Sequence, residues 1–346
     1  MGIMRRAFFH SVALVVAAIF CGPAFGQSVD DFYRGKSITL VVSADAGTLT
    51  DTLVRQFAPY FVKYLPGQPD AIVMNVAGAG GMVAAASLQT KQPDDGTVVG
   101  FLQRNNLYTS LLAPSQSSFD PREVRWLGSL DKVSYALVAM SRSGVLSADD
   151  LSKKKLIIGA TGFSNENRIL PALLNDYAGT KLNIVPGYTG RGEVYLAMQR
   201  GEVDGWASTI EGLEKGEPAK MLAEGKMRVL LNMGWNSHSD YADVPNLSDV
   251  VTEPDVKALF DFFLSPFEAG RPVAVPRGVP EDRLDALRKA FSKAVADPGF
   301  IAAMADLGAP VDPIDGHSVE LIVKKLYATP DGVLEKARQA RNSSPF

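Results

Sequence analysis

Cysteine is almost missing from this chain. Of its 346 residues only Cys21 carries a thiol, and Cys21 lies inside an apolar N-terminal run. With that run removed as a leader, no thiol remains, which excludes a disulfide framework, a thiolate nucleophile and a cysteine-bound metal. Histidine is nearly as scarce. Beyond the leader only His238 and His317 are left, too few for a histidine-rich metal centre. A hydrolytic Ser–His–Asp set would have to use one of these two, and nothing in the sequence positions either; His317 beside Ser318 reads more simply as part of a helix cap. No G-x-S-x-G elbow is present, since Gly162-Phe163-Ser164-Asn165-Glu166 lacks the second glycine. No Walker A sequence occurs, and Gly78-Ala79-Gly80 fails as a dinucleotide fingerprint because Val83 occupies its third small position. No metal and no cofactor are therefore expected, and no enzyme activity.

Charge of one sign is also lacking. The chain holds 35 basic and 38 acidic residues; losing Arg5 and Arg6 leaves 33 against 38, a net charge of −5. That balance speaks against nucleic acid and anionic membrane surfaces as partners. Long apolar runs are absent except at the start. Arg5 and Arg6 precede the uncharged run Ala7–Phe20, and Ala24 and Gly26 supply small residues ahead of a cleavage site before Gln27. The run is shorter than the roughly 20 residues that span a bilayer, so a cleaved signal peptide over 1–26 is expected rather than an anchor. Bulky Phe20 before Cys21 weighs against a lipoprotein site. Export to the periplasm follows as the expected location.

What is present is an alternation of short β-rich runs and amphipathic helical runs. Ser37–Ser43 reads as a buried strand, and Thr50–Leu65 then sets Leu53, Phe57, Phe61 and Tyr64 on one face at helical spacing. The pattern continues with strand Ala71–Val76, helix Met82–Thr90 and strand Thr97–Gln103. It resumes with strands Ser134–Ser141 and Lys155–Ala160, helix Asn165–Ala178, strand Leu182–Val185, helix Glu193–Arg200, and strands Val203–Ser208 and Met227–Asn232. From Pro280 onward it is almost wholly helical. Such a pattern predicts an α/β protein with mostly parallel sheets covered by helices on both faces. The length favours two lobes. Lobe one is expected over 27–131 plus 267–346, with the helical C-terminal segment packed on it, and lobe two over 132–266. Crossings near Asp131 and Pro266 would form a hinge, with a ligand between the lobes at the carboxyl ends of the strands.

Three strand-to-helix turns are rich in small residues: Ser43–Asp51, Asn75–Gly81 and Ala160–Ser164. Each offers backbone N–H groups and a helix N-terminus, which favours an anion by roughly 0.3–2 kcal/mol. A single such turn is ordinary; three of like composition point to anion binding.

These turns also carry a family resemblance. Val42-Ser43-Ala44-Asp45-Ala46-Gly47-Thr48-Leu49-Thr50-Asp51-Thr52-Leu53-Val54-Arg55 resembles the V-P-F-x-A-G-G-G-T-D-x-x-A-R signature of the substrate-binding proteins of tripartite tricarboxylate transporters. Asn75 to Gly81 resembles the family's N-R-P-G-A-G-G, Pro93-Asp94-Asp95-Gly96-Thr97 its P-D-G-Y-T, and Val185 to Gly190 its V-P-Y-x-G. Gly201-Glu202-Val203-Asp204 matches G-x-V-D, and Asp297-Pro298 with Leu307-Gly308-Ala309 match D-P and L-G-A. The ordered matches span nearly the whole chain beyond the leader. The resemblance implies a two-lobed periplasmic binding protein of the Venus-flytrap kind, holding a ligand carboxylate mainly through loop amides. It nominates Ala44, Ala46, Gly47, Thr48, Thr50, Ala77, Gly78 and Gly80, then Thr161, Gly162 and Asp204, with Tyr188 and Ser208 nearby. Thr48 and Leu49 replace two glycines of the signature, and Asp45 puts a carboxylate where an uncharged residue is common.

Arg104, Arg168 and Arg191 follow strand ends or sit in small-residue turns, so each could clamp a second carboxylate, or simply be a solvated surface arginine. Trp206 and Phe163 could stack on a ligand body, and Trp206 reads equally well as core. The reading overall is a monomeric solute-binding protein that takes a small organic acid to integral membrane transporter subunits. A sensory partner of a receptor kinase is the alternative, and a periplasmic hydrolase a more distant one.

Overall fold

A computed structural model describes residues 27–161, 165–235, 239–309 and 311–342. The expected signal peptide lies outside the described residues, as do Gly162, Phe163 and His238. A short helix α1 (Val29–Tyr33) leads into β1 (Ser37–Val42), α2 (Leu49–Tyr64), β2 (Asp70–Asn75), α3 (Met82–Thr90), β3 (Val98–Phe101), α4 (Thr109–Leu112) and β4 (Val124–Ser129). Next come β5 (Tyr135–Met140), β6 (Leu156–Ala160), α5 (Glu166–Ala178), β7 (Leu182–Pro186), α6 (Arg191–Arg200), β8 (Gly205–Thr209), α7 (Gly216–Ala223), β9 (Met227–Asn232), α8 (Leu247–Val250) and α9 (Pro254–Leu264). The chain then returns through β10 (Pro272–Pro276), α10 (Glu281–Val295), α11 (Pro298–Asp306), β11 (Ile314–Asp315), α12 (Gly316–Tyr327) and α13 (Asp331–Asn342).

The strands form two sheets, ordered β11-β4-β10-β3-β1-β2 and β7-β6-β8-β5-β9. Each contains three adjacent parallel strands, β3-β1-β2 in one and β7-β6-β8 in the other. Each also contains a strand running against its neighbours: β10 between β3 and β4, and β5 between β8 and β9. The first sheet therefore takes its reversed strand from the returning chain. Between the sheets the chain passes twice, side by side: Leu130 N–H donates to Arg271 O at 3.2 Å, Gly270 N–H to Asp131 O at 2.9 Å and Val133 N–H to Phe267 O at 2.8 Å.

Helical periodicity explains the first core. Leu53, Phe57 and Phe61 of α2 are fully buried, and the Phe57 ring meets Phe101, Phe291 and Phe300 at centroid distances of 5.5–5.7 Å. Those rings come from β3, α10 and α11, so the C-terminal helices α10 and α11 close over the same side of the sheet as α2. Tyr64, predicted for that face, instead donates its hydroxyl to Asp297 Oδ2 at 2.8 Å, beside the Lys63–Asp297 ion pair. Helix α12 lies on β4, whereas α13 packs against α4, α5 and α9. Arg168 explains that last placement. It is a fully buried residue of α5, neither a ligand clamp nor a solvated surface arginine, and its Nη1 donates to Ala340 O at 2.9 Å in the last turn of α13, where a cation offsets the helix dipole. The start of α12 also differs from expectation: Asp315 is its cap, accepting from Ser318 N–H at 2.7 Å, and His317 sits inside the first turn.

Candidate ligand-binding cleft

The carboxyl ends of β1, β2 and β3 lie side by side, and their loops are wired together by side chains. Asp51, buried in the first turn of α2, accepts from Gly47 N–H at 2.9 Å, Asn75 Nδ2 at 2.9 Å and Arg55 Nε at 3.0 Å. Asn75 Nδ2 also donates to Ala44 O at 3.0 Å, and Arg55 reaches Asn75 Oδ1 at 2.9 Å. The hydrogen bond from Arg55, aided by Gly47 and Asn75 against the cost of burial, holds the Asp51 carboxyl at about 2. Asp51 is thus more than a first-turn carboxylate: it ties the first loop to the end of β2. Thr48 is the helix cap, with Oγ1 accepting from Asp51 N–H at 3.3 Å and donating to Asp45 O at 2.8 Å, so its hydroxyl is already engaged. Thr50 lies inside the first turn, and Asp45 is exposed.

The second loop runs through four consecutive positive φ angles, Gly78 (123°), Ala79 (48°), Gly80 (63°) and Gly81 (88°), before α3 begins. Only glycine takes the Gly78 conformation without strain. The turn after β3, Gln103–Asn106, buttresses both loops. Gln103 Nε2 donates to Ser43 O at 3.2 Å, and Asn105 Nδ2 and Asn106 Nδ2 donate to Gly80 O at 3.2 and 3.1 Å. With the carbonyls anchored this way, the amides of Ala46, Ala77, Gly78 and Gly80 donate to no protein acceptor among the described residues.

The second sheet presents its own carboxyl-end loops to these. Thr161 heads the loop after β6, where its hydroxyl accepts from Asn165 Nδ2 at 2.7 Å and Asn167 Nδ2 at 2.9 Å. Tyr188, after β7, is half-buried over Gly159, where an added Cβ would lie 3.1 Å from its Cε2. Ser208, at the end of β8, is buried and shares a hydrogen bond of 3.0 Å with Tyr195. Arg191 opens α6, and its Nη1 would lie 3.3 Å from a Cβ on Gly212.

The two halves meet at named contacts. Arg104 Nη2 donates to Glu166 Oε2 at 3.1 Å and Tyr135 Oη at 2.8 Å, and Tyr108 Oη donates to Glu166 Oε1 at 3.0 Å. Burial is the largest single influence on Arg104 and works against its charge, but the combined attraction of Glu166, Tyr135, Tyr108 and Glu211 outweighs it and raises its pKa; burial pushes Tyr135 up to about 12. Further out, Lys215 Nζ donates to Ala305 O at 2.5 Å and Asp306 O at 3.2 Å, at the end of α11. Between these contacts lies a cavity of about 340 Å³, lined by Leu49 and Leu307 from one half and Arg191, Tyr195, Leu196 and Glu211 from the other. Burial raises the Glu211 pKa.

Of the residues nominated from sequence, Ala44, Ala46, Gly47, Thr48, Thr50, Ala77, Gly78 and Gly80 gather at one set of strand ends, and Thr161, Tyr188, Ser208 and Arg191 at the other. Gly162 lies outside the described residues. Arg104 faces the junction but is already paired with Glu166. Asp204 does not join them. It precedes β8, at the amino end of that strand, and its Oδ1 pairs with Arg142 Nη2 at 3.0 Å. Trp206 is 5% exposed and belongs to the core. Sequence reasoning missed Glu166, Glu211 and Lys215. A charged residue just after a strand, as Glu211 is after Ser208-Thr209-Ile210, was the available signal; Lys215 had none.

Comparison with known proteins agrees with this architecture. Curated relatives include the UPF0065 protein in the gbd 5' region of Cupriavidus necator, 26% identical over 312 residues that cover 87% of this chain and 88% of the relative. A TctC solute-binding protein from Polaromonas, solved without ligand, superposes with a TM-score of 0.67 at 20% identity, covering 88% of this chain and 99% of that one. MatC from Rhodopseudomonas palustris with bound malate superposes with a TM-score of 0.61 at 20% identity, covering 86% and 99%. These two show the fold, that of two-lobed solute-binding receptors. The family model described as tripartite tricarboxylate transporter family receptor matches residues 53–328, and the chain therefore belongs to that family.

Proposed function

We propose that this chain is an exported receptor that captures a small organic acid between its two halves and presents it to integral membrane transporter subunits. One observation carries the reading: the amides of Ala46, Ala77, Gly78 and Gly80, in the loops at the carboxyl ends of β1 and β2, donate to no protein acceptor among the described residues. Loop amides of this kind, with their carbonyls anchored from behind, are pre-set to receive carboxylate oxygens. MatC was solved with malate, itself a small dicarboxylate, which supports the same ligand class here.

In this reading the amides of the first two loops hold one carboxylate, and Arg191 reaches the ligand from the other half. Contacts made to both halves shift the population toward the closed form; a ligand held by one half alone would shift nothing. The paired crossings at 130–133 and 267–271 serve as the hinge, dividing lobe one (27–131 and 267–346) from lobe two (132–266), except that α13 departs from the expected packing on lobe one and lies against α5 and α9 of lobe two as well as α4. Among the described residues no helix is long and apolar enough to cross a membrane. Residues 1–26 are read as the signal peptide that directs the chain to the periplasm.

The test is a thermal-shift screen of the chain starting at Gln27 against mono-, di- and tricarboxylates. At least one acid should raise the melting temperature, by an amount equivalent to about 2.7 kcal/mol at a hundredfold excess over Kd. Failure of a broad acid library to move it would count against the reading.

A further inference from the structure

Helix α13 touches both halves of the molecule. Helix α12 lies on β4 of the first half, and after Ala328–Pro330 the chain turns into α13. Leu334, Ala337 and Ala340 form its buried face, while Glu335 and Gln339 are exposed. The helix packs against α4 of the first half and against α5 and α9 of the second. A polar bond anchors it on each side. Arg338 Nε donates to Leu111 O of α4 at 3.1 Å. Buried Arg168 of α5 donates from Nη1 to Ala340 O at 2.9 Å and Arg341 O at 3.3 Å. The same helices also meet one another across the junction. Tyr108, just before α4, sets its ring edge-on to Phe262 and Phe263 of α9, at centroid distances of 5.6 and 5.9 Å. Its hydroxyl donates to Glu166, the first residue of α5 and the partner of Arg104. Arg168 lies two residues further along α5. Its bonds to α13 therefore hold the turn that carries Glu166, and with it Asn167, whose amide supports Thr161.

Domains joined by strands alone move freely, and an apolar interface between them restrains that motion. Here a helix covalently continuous with the first half is bonded into the second. Parting the halves must break its contacts on one side or the other, and uncovers Leu334 and the two alanines in doing so. We infer that α13 is a strap that limits how far the ligand-free halves part, with Arg338 and Arg168 as its two anchors. A receptor held near its closed arrangement loses less affinity to molecules that stand open. The inference rests on the two-lobed receptor reading above. Its test uses no ligand, so its failure leaves the capture of an acid to be judged by the thermal-shift screen.

The chain starting at Gln27 contains no cysteine, so two added thiols take spin labels without competition. Labels at Arg200→Cys and Ile301→Cys, both exposed positions, report the distance between α6 and α11 across the cavity by double electron–electron resonance. In the labelled chain ending at Thr329, which lacks α13, that distance should lengthen by several ångströms and its distribution should broaden. Arg338→Ala, which cuts only the anchor to the first half, should shift it the same way by a smaller amount. Gln339→Ala, on the exposed face of α13, should leave it unchanged. An unchanged distribution in a truncated chain that still melts cooperatively overturns the inference. Should the truncated chain fail to fold, Arg338→Ala decides, and a distribution identical to that of the full-length labelled chain overturns the inference as well. An equal shift in Arg338→Ala and Gln339→Ala also overturns it, because the effect would then not come from the anchor.

Discussion

Asn75 donates from Nδ2 to Asp51 Oδ1 at 2.9 Å, joining the end of β2 to the first turn of α2. The same amide nitrogen reaches Ala44 O, so one side chain holds both the start and the end of the first loop. Asp51 in turn fixes Gly47 N–H. The shape of the first loop is therefore set by the side chains of Asn75 and Asp51.

Replacing Asn75 with Ala removes both links and leaves a buried carboxylate oxygen short of a donor. Stability should fall by about 1–3 kcal/mol. Ligand affinity should fall as well, because the loop amides lose their alignment. Chemical denaturation and calorimetry on N75A measure the two effects separately; full retention of both would show that the loop is held by other means.

Acid stability follows from the same carboxylate. Asp51 has its folded pKa lowered from 3.8 to about 2, and Asp297, paired with Lys63 and Tyr64, is lowered from 3.8 to about 2 as well. A depressed folded pKa contributes stability that is fully present above pH 4 and is lost as pH falls toward 2. Unfolding free energy should drop across that window. In the Asp51→Asn variant, stability at neutral pH should be lower and the drop between pH 4 and 2 shallower. Parallel profiles for variant and wild type would contradict this.

Gly81 has φ +88°, and an added Cβ would sit 2.6 Å from Gln103 Cγ and 3.0 Å from Asn106 Oδ1. Gln103 has little room to yield, since its Nε2 is committed to Ser43 O. Gly81→Ala should cost about 1–3 kcal/mol through backbone strain and displacement of Gln103. Gly47 is the control: it also has positive φ, but nothing lies within 4 Å of its added Cβ. Gly47→Ala should therefore destabilise less than Gly81→Ala in the same denaturant series.

Lys215 links the two halves through the carbonyls ending α11, and Gly308 makes room for it, since a Cβ there would lie 2.5 Å from Lys215 Cδ. An exposed bond of this kind is worth about 0.2–1 kcal/mol. Lys215→Ala should loosen the contact between the halves and weaken ligand binding about two- to fivefold, mostly through faster release. X-ray scattering of the ligand-free variant should show a larger radius of gyration than wild type; an unchanged radius and unchanged release rate would remove Lys215 from the closing contacts.

Much of this architecture was legible in the sequence because its signals are local. Helix Met82–Thr90 was read to the residue, and the apolar stripe Leu53, Phe57 and Phe61 marked the core face of α2. The small-residue turns at the ends of β1 and β2 were visible as composition. What escaped notice was non-local. Strand β10 is five buried residues bounded by Pro272 and Pro276, a composition that reads as a turn until its neighbours are known. Arg104 offered no hint that Glu166, from the other half, would neutralise it. Asp204 was drawn in by a motif match, yet the direction of β8 carries it to the far end of the sheet. Arg168 shows the same limit: its partner is the final helix, 172 residues on.

The central claim is that loop amides and Arg191 together hold a ligand carboxylate between the halves. A crystal structure of the chain starting at Gln27, with the tightest-binding acid of the screen, tests it most directly. The account predicts carboxylate oxygens within hydrogen-bond distance of amides among Ala46, Ala77, Gly78 and Gly80, and a ligand in contact with Arg191. An acid seated instead in the groove beside Lys132, Tyr135 and Trp235, or touching only one half, would contradict it.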